Sequence, residues 1–150
     1  MQGKFENFTL LIANINSSIC KIKTGEMEEF DLRSPHVSCL YYLYKMESLT
    51  AKELCDICQE NKAAISRSLE YLEESGYILC DSNLKKRYKS NLVLTSKGHE
   101  IGKQILIKID SILDVASERL SEDKRKIMYE CLNLINENLE KFCKKYEGEK

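Results

Sequence analysis

A chain of 150 residues that is 43% hydrophobic and 31% charged, with a single proline, is long enough for one sizeable core and too rich in apolar sequence to remain disordered. Its net charge of -1 excludes a uniformly basic or acidic protein, and no apolar run approaches the roughly 20 residues of a bilayer span, so a cytoplasmic protein without a leader or membrane association is expected. Seven cysteines, an odd number spread through helical patterns, fit reduced thiols better than a disulfide framework.

Phe5, Phe8, Ile12, Ile15, Ile19 and Ile22 step by three and four through a first helix that ends near Thr24-Gly25, and Leu10 and Leu11 widen its apolar surface. A helix apolar on two sides needs two partners. After a connector over residues 27–32, Ser34-Pro35 reads as an N-cap followed by proline at the first helical position. The second helix, His36 to Met46, carries Val37, Leu40, Leu43, Tyr41, Tyr42 and Tyr44 and is expected to be largely buried. Leu49-Thr-Ala-Lys-Glu-Leu54 opens a third helix with a capping box between Thr50 and Glu53, and Leu54 and Ile57 point inward.

A tight turn at Gln59-Glu60-Asn61 leads into a fourth helix with Asn61 as N-cap and Gly76 as its stop. Ile65, Leu69 and Leu72 form its inner stripe, and Lys62, Ala63, Ser66, Arg67 and Glu70 share the opposite face. Small residues mixed with Ser and Arg near a helix N-terminus suit entry into the major groove of DNA, whereas the same face taken alone also suits plain solvation. The segment that follows favours the first reading. Tyr77 to Cys80 is a short β-prone run, Asp81-Ser-Asn83 is turn-prone, and Arg87 to Leu94 alternates, which makes a hairpin. Between Ser82 and Lys97 the charged residues are Lys85, Lys86, Arg87, Lys89 and Lys97, all basic in a chain that is otherwise balanced. Two short helices, a tight turn and a basic hairpin together read as a winged helix-turn-helix for a polyanion.

Leu94 to Gly98 cap a long fifth helix with Ile101, Ile105, Ile109, Ile112 and Ala116 in one stripe. Ser121 caps a sixth, whose apolar positions run from Ile127 through Cys131, Leu134, Ile135, Leu139, Phe142 and Cys143 nearly to Tyr146. The terminal helices carry more apolar surface than a small winged module covers, so a homodimer is expected, the alternative being a helical layer within a monomer. The expected fold class is mainly α with a small β wing, in one domain over residues 1–150. Residues 1–32 and 121–150 form the dimerisation region, 33–98 the winged part and 99–120 a connecting helix. Gly-rich phosphate loops, G-x-S-x-G and H-E-x-x-H are missing, so an enzyme is not expected. Cys55 and Cys58 have the gap of a zinc half-site without a second half, and the only histidines are His36 and His99, so neither metal nor cofactor is expected.

The order and spacing of Leu49-Thr50, Glu53-Leu54, Ser66-Arg67, Leu69, Leu72-Glu73, Gly76-Tyr77-Ile78, Lys86-Arg87, Leu92, Leu94-Thr95 and Lys97-Gly98 resemble the MarR family of bacterial transcription regulators over nearly the whole chain. The resemblance implies a dimeric repressor of pseudo-palindromic promoter DNA. Lys62, Ala63, Ser66 and Arg67 would lie in the major groove, Arg87 in the minor groove, and Lys85, Lys86 and Lys89 on phosphates. Relief by a small aromatic or amphipathic ligand would involve the neighbourhood of Phe30, His36, Tyr41, Tyr42 and Met46. A thiol-sensing alternative would use Cys20, and a protein-interaction module without DNA binding is a further alternative. Lys85 and Lys86 stand where the family commonly places an acid before the wing arginine, and Cys80 where a basic residue is frequent.

Overall fold

The computed structural model describes residues 3–80 and 90–147. Period-3.6 patterns become helices wherever a cap can close them. The first, α1, spans Lys4–Glu26 and is followed by a single 3-10 turn, Glu28–Phe30. Helix α2 covers Ser34–Met46, strand β1 Ser48–Thr50, α3 Ala51–Cys58 and α4 Lys62–Glu74. Strands β2 (Ile78–Cys80) and β3 (Asn91–Leu94) precede α5 (Ser96–Ala116) and α6 (Glu122–Glu147). The chain is mainly α with a small antiparallel sheet, as expected from sequence. Two compact units divide it, Met1–Asp110 and Ser111–Lys150.

The three strands pair in the order β1-β3-β2, with Leu49 opposite Leu92 and Ile78 opposite Leu94. Alternation along β3 sends Leu92 and Leu94 into the core while Asn91 stays exposed. Around this sheet Leu40, Leu43, Leu54, Ile65, Leu72 and Ile105 are sealed from solvent in one cluster. Sequence periodicity missed β1, because its three residues overlap the start of α3. Thr50 ends the strand and also caps the helix. Its backbone N–H donates to Glu53 Oε2 at 2.7 Å, and its Oγ1 accepts from Glu53 N at 3.2 Å. The Thr50 backbone N–H, together with its hydroxyl, which donates to the same Oε2 at 2.8 Å, holds the Glu53 carboxyl below its usual range.

Two details differ from expectation. Arg33, not Ser34, is the N-cap of α2, and its backbone N–H donates to His36 Nδ1 at 3.1 Å, while Ser34 N donates to Thr24 Oγ1 at 3.0 Å. Ile57 points outward and is 37% exposed. In an eight-residue helix the inner side is taken by Leu54 with Cys55 and Cys58, which pack against the core and leave Ile57 on the rim.

Helix α1 contains no buried residue. Within the second unit, α6 likewise buries none, and Ile127, Leu134, Leu139 and Phe142 are each more than half exposed. Ser121 Oγ accepts from Lys124 N at 3.4 Å, and Glu122 and Asp123 stand in the first turn, which accounts for where α6 begins.

Candidate nucleic-acid interface

Both ends of α4 are closed by specific bonds. Asn61 Oδ1 accepts from Ala64 N at 2.8 Å. At the other end Gly76 adopts φ +76, its N–H donates to Glu73 O at 3.0 Å, and Tyr77 N donates to Leu72 O at 2.9 Å. This pair of bonds around a left-handed glycine is a Schellman stop, and it turns the chain from α4 into β2 within three residues. Ile65, Ser68, Leu69 and Leu72 face inward. Asn61, Lys62, Ala63, Ser66, Arg67 and Glu70 are exposed, so the structure brings the four helical residues expected to read DNA onto one outward face. Two cations precede the acids Glu70 and Glu74 along this face, which makes the N-terminal half of α4 its positive end.

The other residues expected to contact DNA, Lys85, Lys86, Arg87 and Lys89, lie outside the described residues. The base of the wing is described, and Thr95 and Lys97 build it through bonds that the sequence does not show. Thr95 Oγ1 donates to Gly76 O at 2.7 Å and accepts from Gly98 N at 3.0 Å, so it joins the stop of α4 to the start of α5. Lys97 Nζ donates to Ser75 O at 2.7 Å and lies 4.3 Å from the centroid of the Tyr77 ring. Its charge is therefore directed at the carbonyl end of α4 and an aromatic face, a structural use for one of the basic residues counted with the wing. A Lys three positions after a strand, beside a glycine, was the available signal. Cys80 packs half-buried against the core at this root.

A cavity runs along the α3 side of α4, lined by Ala51, Cys55, Lys62, Ile65, Ser66, Leu69 and Leu92, so Lys62 and Ser66 of the outward face border it. Of the residues suggested for a ligand, Phe30 ends the 3-10 turn and the other four lie on α2. Tyr41 and Tyr42 meet edge to face with centroids 5.2 Å apart, Phe30 packs against the core, and Met46 is 57% exposed. At roughly 100° per helical residue, His36, Tyr41 and Tyr42 point in three directions from α2. Cys20 is half-buried on α1.

His36 has a structural setting. Its ring stacks on Tyr71 at 4.4 Å and 10°, and the Tyr71 hydroxyl donates to Asp31 O at 2.8 Å, fixing α4 to the turn before α2. Burial lowers the His36 pKa from 6.5, Arg33 lowers it further, and Asp31 opposes them. The unfolded chain therefore binds the proton more readily than the folded one. Stability from this site is full above about pH 6.5 and falls as the pH drops toward the depressed folded value. A proton NMR titration of the His36 ring should give a midpoint below 6.5, and the urea midpoint should rise between about pH 5 and 7 less steeply in His36→Gln than in the wild type. Equal slopes in the two proteins would remove His36 as the cause.

Comparison with known proteins adds to this geometry. Residues 36–113 match the family model described as a winged helix DNA-binding domain. An uncharacterised HTH-type transcriptional regulator of Bacillus cereus is 27% identical over 120 residues, 77% of each chain. The crystal structure of MarR superposes with a TM-score of 0.75 at 25% identity, covering 91% of this chain and 93% of that one. A MarR family regulator of Listeria monocytogenes, solved in complex with a 26mer DNA, gives 0.81 at 21% identity over 100% and 98%.

Proposed function

Since this chain belongs to the MarR family of winged-helix DNA-binding transcription regulators, we propose that it is a dimeric repressor of pseudo-palindromic promoter sites, relieved by a small ligand. The observation that carries the reading is the outward face of α4, where Lys62, Ala63, Ser66 and Arg67 stand together on a helix whose two ends are both locked. Small side chains there allow the helix backbone to approach base edges, and Arg67 supplies a fork that matches guanine or two phosphate oxygens. Arg87 would enter the minor groove, with Lys85, Lys86 and Lys89 on the flanking phosphates. The solved Listeria relative was crystallised with duplex DNA, which supports the same partner for this chain.

Dimerism is supported by the exposed apolar residues of α1 and α6, which water solvates poorly. No helix among the described residues is long and apolar enough to cross a membrane, so a membrane offers these helices no spanning role. Two copies would place two reading helices on half-sites about one duplex turn apart. Selection of bound sequences from a random duplex pool should return a two-fold symmetric motif. Arg67→Ala should weaken binding to that motif by about 1–3 kcal/mol and relax preference at one position in each half-site. An asymmetric motif, or an unchanged preference in Arg67→Ala, would reject this arrangement.

A further inference from the structure

The outward face of α4 carries one residue that a surface made only for phosphates would exclude. Glu70 is exposed on the same face as Lys62, Ala63, Ser66 and Arg67, four residues after Ser66 and three after Arg67, so it stands one helical turn beyond that pair. At roughly 1.5 Å per residue its Cα lies about 4.5 Å past that of Arg67 along the axis, on the order of one base-pair step, whereas Glu74, the last residue of the helix, lies about 10.5 Å past. Asn61 and Gly76 close the helix, and the Tyr71 hydroxyl ties it to Asp31 O at 2.8 Å, so its ends and its anchorage are supplied without Glu70. Among the described residues no ion pair involves Glu70.

A carboxylate offers only acceptors. A phosphate repels it, and on the base edges of the major groove it can bind only an exocyclic amino group, N4 of cytosine or N6 of adenine. Cytosine suits it better, because adenine presents N7, a further acceptor, beside its amino group, and cytosine presents none. We infer that Glu70 is a specificity residue of the reading helix, accepting a hydrogen bond from the N4 amino group of a cytosine next to the position that Arg67 reads, and rejecting sequences with an acceptor there. This rests on the proposed function, in which α4 is the helix that enters the groove.

The same charge acts in opposite directions on two kinds of DNA. On a random duplex the helix meets mainly phosphates, and Glu70 weakens the attraction by offsetting part of the positive field of Lys62 and Arg67. On a matching site the cytosine amino group answers that repulsion with a charge-assisted hydrogen bond. Lys62 and Arg67 supply attraction that many sequences satisfy, and Glu70 adds a condition that few do. The acid therefore lowers general affinity and widens the ratio between a matching site and bulk duplex, which is the quantity that counts against a large excess of competing sites.

The test is selection from a random duplex pool by the full chain and its variants. Glu70→Gln, which keeps the size and loses the charge, should exchange cytosine for adenine at one position in each half-site, since an amide accepts from N6 while donating to N7. Glu70→Ala should tolerate any base there. It should bind the wild-type motif about tenfold more weakly and sheared duplex at low salt about two- to threefold more tightly, a pair of opposite changes that a merely structural role does not produce. Glu74→Ala should return the wild-type motif. An unchanged motif in both Glu70 variants, with Arg67→Ala still altering its own position, would overturn the assignment and leave the DNA reading standing. A change by Glu70→Gln at the very position that Arg67→Ala relaxes would also overturn it, because Glu70 would then act through the arginine. A wild-type chain that selects no motif and binds duplex without a steep salt dependence would reject the DNA reading itself, and Glu70 with it.

Discussion

Gly98→Ala is expected to destabilise the fold by about 2 kcal/mol, although alanine is the better helix former. A Cβ at position 98 would lie 2.0 Å from the carbonyl oxygen of Tyr77 and 3.2 Å from Leu94 Cβ. The obstacle is backbone, and that oxygen already accepts from Thr95 N at 3.0 Å, so it cannot retreat without opening the wing root. Helix propensity favours alanine by up to ~1 kcal/mol, and overpacking costs about 1–3 kcal/mol or more, so the steric effect wins. Gly25 provides the control, since nothing lies within 4 Å of its added Cβ. Gly25→Ala should therefore be neutral or slightly stabilising. Urea unfolding of both variants decides the matter: equal midpoints would mean that the approach of α5 to Tyr77 does not hold the wing in place.

The DNA-reading half of this architecture was legible in the sequence because its signals are local. Asn61 and Gly76 announce the ends of α4, Thr50 and Glu53 the start of α3, and the spacing of Ile65, Leu69 and Leu72 the buried side, and each of these is where the structure puts it. What could not be read depends on residues distant in sequence. β1 exists because Leu49 finds Leu92 more than forty residues later, and three residues carry no period of their own. The structural roles of Lys97 and Thr95 need the end of α4 beside them. Cys55 and Cys58 pack against the core from α3, and that core includes Cys39 of α2, a neighbour distant in sequence. His36 was placed with the tyrosines of its own helix, yet its ring is paired with Tyr71 of α4.

In the dimer proposed above, Leu134→Glu combined with Phe142→Glu is expected to leave a monomer and to reduce operator affinity by about 100-fold or more, the gain that a second linked half-site supplies. Both side chains are more than half exposed in the single chain, at 59% and 53%, and lie within one stripe of α6. Each large apolar side chain contributes about 1.5–3 kcal/mol when fully covered, so positions already half-covered recover about 1 kcal/mol each. Association costs an estimated 4–15 kcal/mol, so a few residues of α6 alone are marginal. Helix α1 offers Phe5, Phe8, Leu11, Ile12 and Ile15, all exposed, as further apolar surface of the same kind. Two carboxylates per chain in that contact would reverse the balance, because each must be desolvated or protonated. In a monomer the same substitutions fall on solvated positions and leave the helix intact. Sedimentation should therefore show half the mass with unchanged helicity by circular dichroism, and binding to a single half-site should persist at its weaker level. A double variant that sediments with the wild type and binds as tightly would place the contact between subunits elsewhere.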